Sequence, residues 1–396
     1  MLYTAYLKLY NNAMKIGVFG GTFDPVHLDH LAVIRGAIRA LNLDKVLLML
    51  TLNPPHKPET VTDYAVRREM LTVFAEESGL PLEIDDSEEL FAPKAYAYQT
   101  LPYLKEKYDG DDLIYLIGSD SLFKFTEWKR PETVARSMPI AVYPRGDDLG
   151  VAEECDRLTA LYPGSEFIPL PFVSHGISAS LVRFMSETGD EEGLGRVLTP
   201  RVKQFIVDKR LYTDYRPIVE KLKAELPAGL FAHSLRSAEW AVTHAWLQGT
   251  GFKESFLAAL LHDSAKPFSP MFPMDTYPVG TAKPVCHQYD GGYRVVHDFG
   301  ITDPAIVDAV TYHTTARANM TKLDELVYLA DKLEKGRNYP GVDELRAIGE
   351  KSVSDAVAAS LKRSDEYLSG KGERPDALTL QAIEWYNQKN GRHNGT

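Results

Sequence analysis

From Lys15 the chain alternates short apolar runs with amphipathic stretches, and after Pro200 that alternation stops. Ile16 to Phe19 is followed by helical spacing at Leu31, Ile34, Ile38 and Leu41, then by Val46 to Leu50. This order is strand, crossover helix, strand. Leu113 to Ile117 and Ile140 to Tyr143 are further apolar runs of strand length, each after a helical stretch. Runs that are apolar throughout suit strands covered on both faces, so residues 14 to about 190 predict an α/β doubly wound parallel sheet of Rossmann-like type. From Tyr215 onward nearly everything reads as helix, which predicts a second, all-α domain. A chain of 396 residues is long enough for two separate cores. The expected division is an extension at 1–13, a first domain at 14–212 and a second at 213–396, with Tyr212 to Pro217 as linker.

A formal net charge of −11 works against nonspecific nucleic-acid binding, which depends on a basic surface. No run of about 18 apolar residues occurs, so no membrane-spanning helix is expected. The two cysteines, Cys155 and Cys286, are too few for a disulfide framework and fit a reducing, cytoplasmic setting. Met1 to Ala13 lacks a small-residue cleavage site and reads as an extension before a start at Met14.

The stretch Gly20-Gly21-Thr22-Phe23-Asp24-Pro25-Val26-His27-Leu28-Asp29-His30 follows the first strand and opens the first helix. Glycines let backbone approach a ligand closely, and a helix start offers unpaired N–H groups to an anion, so phosphate is the natural guest. His27 and His30 are three apart, and on a helix both reach the same phosphates. This block resembles the H-x-G-H signature of nucleotidyltransferases, in the longer form of the nicotinate-nucleotide adenylyltransferases. Pro54-Pro55-His56-Lys57, Gly118-Ser119-Asp120 with Trp128, and Ile177-Ser178-Ala179-Ser180-Leu181-Val182-Arg183 resemble that family's later motifs in order.

The resemblance implies transfer of an adenylyl group from ATP, with Mg2+, to nicotinate mononucleotide. His27 and His30 would meet the triphosphate; Gly20, Gly21, Thr22 and Phe23 would line it. Lys57, Ser178 and Arg183 would add phosphate contacts, and Asp120 and Trp128 would lie near the acceptor. Two departures stand out. Asp29 replaces the glycine between the histidines; a residue between positions i and i+3 of a helix can face away, so a tolerated substitution is expected. Ala95-Tyr96-Ala97 replaces Ser-Tyr-Thr near the acceptor.

In the helical half, His262-Asp263 ends an apolar helix, and His233, His287, His313 and Asp331 lie on or beside other helices. Mixed nitrogen and oxygen donors suit iron, manganese or zinc better than calcium. Leu261-His262-Asp263-Ser264-Ala265-Lys266, Tyr312-His313-Thr314-Thr315-Ala316-Arg317 and Leu329-Ala330-Asp331 resemble the HD-domain superfamily, and within it the YqeK-type symmetrical diadenosine tetraphosphate hydrolases. The resemblance implies two transition-metal ions and a dinucleoside polyphosphate substrate. Asp263 would bridge the ions, His233, His262 and Asp331 would hold one, and His287 and His313 the other. Lys266 and Arg317 would grip phosphates. His244 and His297 match no motif and read as structural or exposed, Lys266 to Pro284 reads as a long loop, and the helices after Pro340 would cap the helical core or form a dimer contact.

Overall fold

A computed structural model describes residues 13–53, 62–146, 149–174 and 176–393, with side chains to 389. Lys57, its neighbours Pro54 to His56, and nearly all of the 1–13 extension lie outside the described residues. The chain divides into two compact units, one running to Arg183 and resuming at Asp190–Leu211, the other made of Phe184–Gly189 and the residues from Tyr212 onward. The helical unit thus also takes in the end of a helix that the spacing assigns to the first half.

The first unit contains strands β1 (Lys15–Gly21), β2 (Lys45–Leu50), β3 (Leu82–Asp85), β4 (Asp112–Gly118), β5 (Ile140–Tyr143) and β6 (Phe167–Pro169). They form one parallel sheet in the order β3-β2-β1-β4-β5-β6. Its helices are α1 (Leu28–Leu41), α2 (Tyr64–Ser78), α3 (Ala97–Lys107), α4 (Ser119–Phe123), α5 (Pro131–Ser137), α6 (Val151–Leu161), α7 (Ala179–Thr188), α8 (Glu191–Val197) and α9 (Pro200–Asp208). The expected doubly wound α/β fold is therefore present. Ile16, Val18, Leu47, Ile140 and Val142 are fully buried, which accounts for their uninterrupted apolar runs. α1 ends where Asn42 turns left-handed at φ 51°, a conformation asparagine tolerates. Strand order reverses between β1 and β4, so the crevice for a ligand lies at the carboxyl ends of these two strands.

The second unit consists of α10 (Arg216–Glu225), α11 (Ala228–Gln248), α12 (Phe252–Leu261), α13 (Cys286–His297), α14 (Pro304–Thr311), α15 (Lys322–Leu333), α16 (Val342–Gly349), α17 (Val353–Gly370) and α18 (Ala377–His393). α12 is buried on every side from Phe256 to Leu261, as a helix apolar all round must be. It packs on α11, which also meets α15. The expected loop from Lys266 to Pro284 holds two short 3-10 turns. Tyr386 of α18 is buried and its hydroxyl donates to Glu325 at 2.5 Å, so the last helix caps the core. No helix among the described residues is long and apolar enough to cross a membrane.

Candidate active sites in the two units

The glycines of the first motif differ from expectation. Gly20 and Gly21 are the last residues of β1, in register with Met49 and Leu50, rather than part of a turn. A side chain at Gly21 would strike the Phe23 ring at 2.9 Å, so glycine is required for close packing. Phe23 is itself buried, with φ 47° and its ring against Phe19 and His30. Its side chain belongs to the core.

His27 does not lie within the helix. It is the residue capping α1, in extended conformation, and its N–H donates to His30 Nδ1 at 3.1 Å. The two rings lie 3.8 Å apart, so the pair converges by a capping interaction rather than by helical spacing. Burial, then His30, then Arg145 push the His27 pKa well below the usual histidine value, and the ring is neutral. Its Nδ1 is buried with no hydrogen-bond partner among the described residues. Asp29 does not turn to solvent. It is buried, and its charge acts on Arg145 and Tyr143.

Arg145 follows β5 and carries no motif. Its backbone N–H donates to Ser119 Oγ at 2.9 Å, and its Nε lies 3.2 Å from Asp120 Oδ1. A Cβ at Gly118 would lie 2.5 Å from that oxygen and 2.9 Å from Arg145 Nε, so a larger residue at the strand end would push this pair aside. The one sequence signal for Arg145 is its position directly after a buried strand. Trp128 is half-buried, its ring 5.2 Å from Phe125. Ser178 Oγ accepts from Leu181 N at 3.1 Å. Arg183 is turned toward Asp24, donating to its carbonyl at 2.8 Å, and also bonds Ser180 Oγ.

Arg67 is fully buried and also escapes motif reasoning. Its guanidinium donates to the carbonyls of Thr22, Thr51, Leu52 and Thr62, tying the segments after β1 and β2 together. Beside it, Glu88 accepts from Leu52 N at 2.9 Å, and burial raises its carboxyl to about 7.

In the helical unit the six expected ligands converge. His233 comes from α11, His262 and Asp263 from the end of α12, His287 from the first turn of α13, His313 from just past α14, and Asp331 from α15. His233 Nε2 is 3.1 Å from both His262 Nε2 and Asp331 Oδ1. Asp263 Oδ2 lies 3.6 Å from His262 Nε2 and 3.8 Å from His233 Nε2. Its Oδ1 faces the other way, 3.3 Å from His287 Nε2 and 3.5 Å from His313 Nε2. The carboxylate is thus shared between two pockets.

The second nitrogen of each histidine is already engaged. Nδ1 of His262, His287 and His313 each lies 2.7 Å from a carbonyl, of Ala259, Pro284 and Val310 respectively. Those bonds put the proton on Nδ1 and turn the Nε2 lone pairs inward. Nδ1 of His233 instead meets Glu334 Oε1 at 3.1 Å. Burial opposes ionisation of Glu334, but hydrogen bonds from Arg236, Gly336 N and His233 outweigh it and hold the carboxyl at about 2. Burial pushes His262 down to about 4, so it too is neutral. Asp263 Oδ1 is buried with no hydrogen-bond donor among the described residues. Converging lone pairs around an unpartnered buried carboxylate oxygen suit paired divalent ions, and the nitrogen and oxygen donors suit iron, manganese or zinc.

Lys266 Nζ lies 2.8 Å from Asp263 Oδ2, at the cluster. Arg317 does not join it: its guanidinium is held by Asp324 and Asp308 over the Tyr312 ring. Arg337 reaches the cluster instead, donating to Asp331 Oδ1. Thr314 Oγ1, also unforeseen, lies 3.1 Å from His287 Nε2 and 3.0 Å from His313 Nε2. His244 is structural, stacked on Trp240 and bonded to its carbonyl, and His297 is exposed beside Tyr293.

Sheet and clusters together define a nucleotidyltransferase-type unit joined to a metal-binding helical unit. Residues 18–184 match the cytidylyltransferase-like family and residues 230–336 match the HD domain. A probable nicotinate-nucleotide adenylyltransferase of Clostridium perfringens is 33% identical over 204 residues, covering 50% of this chain and 98% of the relative. A probable nicotinate-nucleotide adenylyltransferase/Ap4A hydrolase of Mycoplasma genitalium is 25% identical over 363 residues, covering 88% of this chain and 97% of the relative. Among solved structures, an HD superfamily hydrolase of Clostridium acetobutylicum, described as involved in NAD metabolism, is 26% identical with a TM-score of 0.41. It covers 44% of this chain and 98% of its own. The chain belongs to the nicotinate-nucleotide adenylyltransferase family, with an HD domain joined to it in the same polypeptide.

Proposed function

We propose that the first unit transfers the adenylyl group of ATP, with Mg2+, to nicotinate mononucleotide, giving nicotinate adenine dinucleotide and pyrophosphate. The reaction is in-line attack by a phosphate oxygen on the α-phosphorus, so the protein positions reactants and stabilises charge without a nucleophile of its own. His27, His30 and Arg145 near the carboxyl ends of β1 and β5 are suited to that task. The observation that carries the reading is the neutral His27 ring, held against His30 beside the crevice between β1 and β4. The change to Ala95-Tyr96-Ala97 removes two hydroxyls but leaves Tyr96 stacked with Tyr98 under Lys129, an aromatic and cationic surface suited to an anionic pyridine nucleotide. Pyrophosphate release with nicotinate mononucleotide, nicotinamide mononucleotide and phosphopantetheine compared side by side tests the acceptor. A preference for either of the last two overturns it.

For the HD domain we infer hydrolysis of diadenosine tetraphosphate to two ADP. Asp263, shared between two pockets, supports this reading: His233, His262 and Asp331 would hold one ion, and His287 and His313 the other. Such ions would activate water and neutralise polyphosphate charge. Product analysis after loading with iron or manganese tests it, and the absence of ADP as sole product rejects symmetrical cleavage. Both activities suit a cytoplasmic enzyme acting on adenine nucleotides.

A further inference from the structure

We propose that Arg337 is the phosphate-binding arginine of the HD cluster, and that without phosphate it competes with a cation for Asp331. The inference rests on reading this cluster as a metal phosphohydrolase centre.

The neighbouring arginines are committed elsewhere. Arg317 is held by Asp308 and Asp324, Arg236 by Glu334, and Arg294 by Glu225 and Asp298. Arg337 differs because its carboxylate partner among the described residues, Asp331, is itself a member of the cluster. Its terminal nitrogen touches Asp331 Oδ1 and lies 3.4 Å from His233 Nε2. Those two atoms are 3.1 Å apart and line the first pocket, so the guanidinium stands at the place a cation would seek. Two positive charges cannot share it without repulsion.

The side chain has a second anchor that a cation would not disturb. Its Nε donates to the Asp331 backbone carbonyl at 2.6 Å. The segment carrying it is clamped by Arg346, which donates to the carbonyls of Leu333, Glu334 and Arg337. Arg337 is 37% exposed, so one side of its fork faces the cluster and the other faces solvent, where a polyphosphate must arrive. A planar fork beside metal ligands matches paired phosphate oxygens.

The test uses the full chain and two probes, Mn2+ followed by its free-ion paramagnetic signal and ADP followed by calorimetry. Asp263→Ala supplies the background of ADP bound by the first unit. Arg337→Gln is expected to weaken Mn2+-dependent ADP binding about 10-fold or more. Mn2+ should bind this variant at least as tightly as the parent, because a competing charge is gone. Opposite movement of the two affinities is something a merely structural residue would not produce. Arg337→Lys, which keeps the charge but not the fork, should lose ADP affinity with little change in Mn2+ affinity, and it serves if the glutamine variant does not fold. Unchanged ADP binding in both variants, or loss of Mn2+ from them, overturns the inference. A parent chain that binds Mn2+ but no ADP at the cluster overturns the underlying reading as well, and the parent measurement alone reveals that case.

Discussion

His233 Nδ1 stands 3.1 Å from Glu334 Oε1, which makes a buried carboxylate the support of a histidine in the first pocket of the cluster. The other three histidines of the cluster lean on backbone carbonyls that no side-chain substitution can remove, so Glu334 is the point where orientation can be tested. Glu334→Gln should lower metal affinity about 10-fold to 100-fold while adenylyl transfer stays within twofold of the parent. Metal titration and pyrophosphate release on the same preparation decide it, and unchanged metal affinity would dismiss the supporting role.

Asp263→Ala should remove both ions and all HD hydrolysis, because its two oxygens serve both pockets. Retention of one ion per chain by elemental analysis would mean that the pockets are filled independently.

His30→Ala should lower adenylyl transfer by about 10²-fold, through loss of a preorganised phosphate contact and of the acceptor that holds His27 N. It should also cost about 1 kcal/mol of stability, as cap removal does. Thermal unfolding alongside single-turnover kinetics separates the two, and full activity in a folded variant would contradict the phosphate assignment.

Arg67→Lys replaces a fork that holds four carbonyls with a single point charge. The expected outcome is a raised KM for ATP with HD hydrolysis unaffected. A variant with parental KM would show that the segments after β1 and β2 hold their shape without it.

Glu88 gives a pH signature. Its folded pKa of about 7 lies above the ordinary carboxyl value, so the fold favours the protonated form. Its contribution is fully present below about pH 4.5 and is lost as pH rises through 7, by about 3 kcal/mol at the most. Glu88→Gln should therefore gain on the parent between pH 5 and pH 8 in thermal unfolding of the first unit. Parallel profiles would indicate that Glu88 is ionised at both values.

The spacing of apolar residues was enough to determine the strands around Ile16, Val46, Leu113 and Ile140 and the change to helix after Pro200, while the HD-type motifs, rather than spacing, singled out His233, His262, Asp263, His287, His313 and Asp331, which the fold brings together. Periodicity is a local property, and a ligand motif keeps its residue types wherever the helices carry it. Tertiary structure alone decided that Asp263 divides its oxygens between two pockets, that His27 caps α1 and rests on His30, and that Asp29 is buried. It also committed Arg317 to Asp308 and Asp324, while bringing Arg145, Arg67, Glu334 and Arg337 to sites they do not announce in sequence. Each of these depends on a side chain meeting a partner across the fold, with burial then deciding its charge, and no spacing along the chain encodes that encounter.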